Sequence, residues 1–154
     1  MQRIDRELIA SVTRRARQSP RKRMNHNFHA GPEDNPHRFL NVMLKGTYVR
    51  PHRHLTPPKA ETFVVLEGRA AVIALDGGGG ILSRSMLSPG ECWGIDVPAG
   101  VWHTIAVLSD IAVCFEVKPG PWDPATDKEF APWAPAEDDP AAAAYLNSLL
   151  AGLE

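Results

Sequence analysis

Only two cysteines, Cys92 and Cys114, occur in the 154 residues, and no apolar run approaches the ~18 residues that a membrane span needs. Two cysteines exclude a disulfide-stapled scaffold. Without an export signal they read as reduced, buried thiols. The N-terminal stretch MQRIDRELIASVTRRARQ lacks the apolar core of a signal peptide, which predicts a cytoplasmic protein with no membrane partner. No internal repeat is present. The glycine run Gly77 to Gly80 has no Lys-Ser/Thr after it and no helix start, so it reads as a hairpin turn and not as a phosphate cradle. The composition is ordinary for a globular protein, with 44% apolar and 23% charged residues. The length suits one domain, 1–154, with its own core.

Net charge is only −1, but its distribution is uneven. Residues 1–59 carry 13 Lys/Arg against 4 Asp/Glu, and residues 60–154 carry 4 against 14. Two readings follow: the parts pack on each other or across a homodimer, or the basic part holds an anionic ligand. Nucleic acid is not the expected partner, because RRARQSPRKR is one short basic patch without interleaved aromatics.

Three segments differ in character. In 1–38, Asp5 can cap a helix with Ile4, Leu8, Val12 and Ala16 at helical spacing, stopped by Ser19-Pro20. Turns joined by short extended pieces then run to Arg38. In 39–118, the runs FLNVML, TFVVL, AAVIAL, ECWGIDV, WHTIAVL and IAVCFEV alternate with Gly, Pro and Asp, which predicts a sandwich or barrel of short strands. In 119–154, a Pro- and aromatic-rich arm precedes a helix opened by Asp139-Pro140.

The chemistry concentrates in Gly46-TYVRP-His52-Arg-His54-LTPPKA-Glu61-TFVVLE-Gly68 and Pro98-A-G-V-W-His103. Side chains alternate along a strand, so His52 and His54 face the same way and can share one ion. The Pro57-Pro58 turn can swing Glu61 back beside them, and His103 follows a tight turn. Three imidazoles and a carboxylate suit one divalent transition metal, Zn, Fe, Mn or Ni.

These residues resemble the two cupin motifs, Gly-x5-His-x-His-x3–4-Glu-x6-Gly and Gly-x5-Pro-x-Gly-x2-His-x3-Asn. The gap from His54 to Glu61 is six residues where the motif has three or four, Gly90 stands two residues early, and Val107 replaces Asn. The resemblance implies a double-stranded β-helix, a mainly β jelly-roll barrel with short N- and C-terminal helices, in which His52, His54, Glu61 and His103 converge on one metal. RMNHNFH (23–29), YVRPHRH (48–54), ETFVVLEGR (61–69), GVWHT (100–104) and FEVKPGPWDPATDKEFAPWAPAE (115–137) are in addition similar to the WbuC family of cupin-fold metalloproteins. That similarity implies a setting in bacterial O-antigen polysaccharide biosynthesis.

Around the metal, His26, Tyr48 and Glu116 are candidate proton carriers. Arg50 shares strand parity with His52, so it is expected in the same cavity, holding an anion or pairing with Glu116. Trp102 and Lys118 are further candidates for substrate binding. Trp93, Trp122 and Trp133 stack on a sugar or pack as core and lid. Lys118, Lys128 and His37 are expected to face solvent, while His26 and His29 either reach the barrel mouth or hydrogen-bond locally. The functional reading is a metal-dependent isomerase or epimerase acting on an anionic sugar or sugar nucleotide. The alternatives are an iron-dependent dioxygenase, which would need Fe(II) and oxygen, and a non-catalytic carbohydrate-binding or assembly protein, which would bind sugar without forming product.

Overall fold

The computed structural model describes residues 1–153. Helix α1 (Arg6–Gln18) starts at Asp5, whose side chain accepts a hydrogen bond from the Leu8 amide at 3.0 Å, and it ends at Ser19. The apolar spacing read in the sequence buries Val12 and Ala16 against Leu40, Val42 and Val113. Ile4 stays 45% exposed.

Eight strands follow: β1 (Arg23–Asn27), β2 (His37–Leu44), β3 (His52–Arg53), β4 (Glu61–Leu75), β5 (Ile81–Leu87), β6 (Gly94–Val97), β7 (Trp102–Lys118) and β8 (Glu129–Phe130). Every pairing is antiparallel, in the order β1-β2-β7-β3-β8, with β4 joined to β5, β6 and β7. The result is a curled, mainly β jelly-roll barrel. β1 is one of the short extended pieces expected between turns in residues 21–38, and its register against β2 runs from Arg23 opposite Met43 to Asn27 opposite Phe39.

The apolar runs do not each form a separate strand. TFVVL and AAVIAL are one strand, β4, and WHTIAVL and IAVCFEV are one strand, β7. The breaks between them are bends, marked by register shifts at Val65/Glu67 and Gly68/Ala70. Gly68 has φ +75, and a Cβ there would sit 1.9 Å from the Ile111 carbonyl oxygen, so only glycine fits. At the β4–β5 hairpin the glycine run is a turn, as expected, held by Asp76 accepting from the Gly78 and Gly80 amides at 2.8 Å.

Alternation sorts the side chains into layers. Val49, Phe63, Val65, Val72, Ile105, Val107 and Cys114 fill the barrel interior. Ala71, Ile73, Leu75 and Trp102 face outward and are covered by Ala131, Trp133, Ala134 and Leu149 of the C-terminal segment. Helix α2 (Ala142–Leu150) buries Leu146 and Leu149, and its start is held by Asp139, which accepts from the Ala141 amide at 2.8 Å. Cys114 is buried, but Cys92 is exposed, so the expectation of two buried thiols holds for only one.

Candidate metal centre

One end of the barrel interior is polar. His52 on β3 sits opposite His103 on β7, Glu61 opens β4, and His54 follows β3. All four are buried, and their ligand atoms lie within 4.8 Å of one another. The lengthened gap before Glu61 is absorbed by a tight loop, closed by a bridge between Leu55 and Pro58 and by the Lys59 amide donating to the His54 carbonyl at 3.4 Å. That loop brings a Glu61 carboxylate oxygen to 3.4 Å from His54 Nε2 and 3.3 Å from His103 Nε2. Gly100, at φ +81, makes the turn before His103, and its amide donates to the His54 carbonyl at 3.1 Å.

Hydrogen bonds fix the rings. The Nδ1 of His52 meets the Arg50 carbonyl at 2.9 Å, that of His103 meets the Val101 carbonyl at 2.9 Å, and that of His54 meets the Asp127 carbonyl. A carbonyl only accepts, so Nδ1 of each ring donates to it and Nε2 turns inward. Burial, with Lys128 and His103 nearby, holds His52 well below its ordinary pKa, hence neutral. Burial disfavours the Glu61 carboxylate. Its contacts with His103 and His54 and the ammoniums of Lys118 and Lys128 outweigh this and hold it well below the usual range. Three ring nitrogens and a carboxylate thus converge, and the Nε2 atoms of His52 and His54 have no hydrogen-bond partner. That is the arrangement a divalent cation satisfies, and a set of three nitrogens and one oxygen fits a transition metal.

His52 and Glu61 open on a cavity of about 920 Å³. Glu116 lines it from β7, opposite Phe63 on β4 and therefore two residues along the sheet from Glu61. Asn41 donates to Glu116 Oε1 at 2.7 Å. Burial and the charge of Glu61 push the Glu116 carboxyl up to about 8. Lys118, expected to face solvent, is buried and donates to Asp127 Oδ2 at 2.7 Å. Lys59 binds the other oxygen, Oδ1, at 3.0 Å and the Pro121 carbonyl at 2.5 Å. Lys128, also expected to face solvent, is half-buried and lines the cavity.

Other expected site residues lie elsewhere. His26 on β1 does not line the cavity and packs edge-on against Phe28 at 4.9 Å. Tyr48 lies outside the barrel under α2, donating to the Pro135 carbonyl at 2.9 Å. Arg50 does not line the cavity. It donates to the Ala131 carbonyl at 2.7 Å, with its guanidinium 5.4 Å from the Phe130 ring centroid. The parity argument for both failed because residues 47–51 are not strand. Alternation slips there, and Val49 faces inward in their place. Trp102 points outward because His103 points inward, and it packs 6.2 Å from Trp133 with Arg53 stacked over it at 4.4 Å. Of the tryptophans, Trp122 lines the cavity. His37 is buried, not solvent-facing: it stacks on His29 at 4.0 Å and its Nε2 meets the Pro32 carbonyl at 3.0 Å. Asn41, Lys59 and Asp127 carry no motif signal. Only their long-range partners reveal them.

Comparison with solved structures places this barrel. It is similar to the capsular polysaccharide assembling protein CapF of Staphylococcus aureus (TM-score 0.59, 23% identity, over 69% of this chain and 28% of that one). It is also similar to NovW, a 4-keto-6-deoxy sugar epimerase from the novobiocin gene cluster of Streptomyces spheroides (TM-score 0.51, 19% identity, 60% and 49% covered). A third similarity is to the cupin domain of Cnp3 from Schizosaccharomyces pombe (TM-score 0.50, 12% identity, 64% and 61% covered). The chain spans less than a third of the CapF chain. At these identities the likeness concerns the fold, and that fold is the cupin barrel. None of the curated proteins matches the chain. The sequence model described as Domain of unknown function (DUF6016) matches residues 4–87, more than half of the chain, and the protein belongs to that family.

Proposed function

We propose that this protein is a metal-dependent cupin that acts on an anionic sugar or sugar nucleotide as an isomerase or epimerase, in the assembly of a bacterial surface polysaccharide such as O-antigen. The observation that carries this reading is Glu116, a buried carboxyl that lines the same cavity as His52 and Glu61 and whose pKa burial pushes up. A general acid or base works best when its pKa lies near the operating pH. Asn41 occupies Oε1, so Oε2 is left to take a proton from a carbon beside a carbonyl and return it. When bound at His52, His54, Glu61 and His103, the metal supplies Lewis acidity toward hydroxyl and carbonyl oxygens. Phe63, Ile105 and Phe130 line the remaining wall and exclude water from the reacting carbons. The fold shared with CapF, a capsular polysaccharide assembling protein, and NovW, a sugar epimerase, supports the substrate class.

The test is solvent exchange. Metal-loaded protein in D₂O, given a panel of hexose phosphates and nucleotide-linked keto sugars, should place deuterium at the carbon next to the carbonyl. Glu116→Gln should lower that exchange at least ~100-fold, the usual reach of general acid–base catalysis, with metal content unchanged. Binding of these sugars with no exchange in the wild type would make the protein a carbohydrate-binding partner instead.

A further inference from the structure

Four lysine and arginine side chains line the cavity: Arg21, Arg23, Lys118 and Lys128. Three are matched. Arg21 and Arg23 hold Glu137 at 2.9 and 2.5 Å, and Lys118 holds Asp127 at 2.7 Å. Lys128 has no hydrogen bond and no carboxylate within 4.0 Å among the described residues.

None of the acids nearest Lys128 comes within 4.0 Å of its ammonium. Its charged surroundings are Glu61, Lys118, Glu116 and Asp127. Glu61 faces His54 and His103, Glu116 is engaged by Asn41, and both oxygens of Asp127 are taken by Lys59 and Lys118. An ammonium drawn partly out of water without a counter-ion is unfavourable, and burial lowers its pKa accordingly. An anion arriving from outside would relieve that cost. Asp127 and Glu129, which flank Lys128, are both locked in ion pairs, so the arm fixes where the ammonium stands.

We propose that Lys128 anchors an oxyanion of the ligand, a carboxylate or a phosphate, beside the metal centre. This inference rests on the reading of the cavity as a site for an anionic sugar derivative, and it moves the anchoring role from Arg50 to Lys128. A lysine ammonium is a compact point charge with three donors, suited to either anion.

The experiment titrates inorganic phosphate and acetate, separately, into the full-length protein loaded with one equivalent of zinc. Lys128→Gln should bind at least one of the two tenfold or more weakly than the wild type, and Lys128→Arg, which keeps the charge, should stay within a few-fold. Loss confined to phosphate assigns a phosphorylated ligand, and loss confined to acetate assigns a carboxylate. Because Lys128 makes no hydrogen bond or ion pair among the described residues, Lys128→Gln should keep its zinc and melt no lower than the wild type. Equal binding of both anions by wild type and Lys128→Gln overturns the proposal. So does a wild type that binds neither anion, or a Lys128→Gln protein that has lost stability or zinc. Glucose 1-phosphate and glucose are titrated in parallel. If phosphate depends on Lys128 while neither sugar binds, the sugar reading falls and the anchor stands.

Discussion

In the metal-free protein, burial and the Glu61 charge push the Glu116 carboxyl up to about 8 from its ordinary 4.5, so between those values the native state holds a proton that the unfolded chain has released. Folded protein binding the extra proton means that stability falls as pH rises through this window. Glu116→Gln removes the effect. Chemical denaturation should therefore show the variant gaining on the wild type by at least about 1 kcal/mol between pH 5 and pH 9, and a difference that stays flat with pH contradicts the assignment. His54→Ala and His103→Ala should bring metal content well below one equivalent in anaerobically purified protein, and they should lose the stabilisation that metal gives. Full occupancy in the His52→Ala/His103→Ala double variant refutes the centre, and Glu61→Ala separates a four-ligand site from a three-histidine one. The three histidines were legible because strand alternation and a turn before His103 are local. Glu61 was legible despite its spacing, since a six-residue gap closes into a loop as readily as a shorter one. Tyr48 and Arg50 were misplaced because parity cannot be carried back from His52 into a stretch that lies outside the sheet.

At the level of elements, the long strands β4 and β7 owe their continuity to one bend. Gly68→Ala forces a Cβ against the Ile111 carbonyl at a φ that L-residues avoid. It should cost about 2 kcal/mol or more, at the upper end of single-substitution effects, which urea denaturation would show as a lower midpoint. An unchanged midpoint would mean the bend relaxes freely. The sequence marked Gly68 and each apolar run but not their fusion, because a bulge and a strand end use the same residue types. The C-terminal arm was recognisable as ordered from its prolines and aromatics. Its delivery of Asp127 and Lys128 to the cavity was not, since that depends on the Lys59–Asp127 and Lys118–Asp127 pairs, 68 and 9 residues apart.

For the molecule as a whole, the opposed charges of residues 1–59 and 60–154 meet within one chain. Arg21 and Arg23 pair with Glu137, Arg53 with Glu129, and Lys59 with Asp127. A dimer is no longer required to neutralise them, but β5 pairs only with β4 and exposes Leu82 (67%) and Met86 (51%) along one face. A homodimer is therefore still expected, and sedimentation showing a monomer at micromolar concentration, unchanged by salt, rules it out. The hydrogen bond from His54 Nδ1 to the Asp127 carbonyl has a wider reach than ring orientation. It couples the ligand sphere to the same arm whose Ala131 amide donates to the Pro51 carbonyl at 2.9 Å. Stripping the ion with a chelator should loosen His54, and through it the segment 119–137, long before the barrel itself opens. Amide exchange at Ala131 and protease nicking within the arm should both quicken on chelation, so the outside of the protein reports whether its interior is loaded.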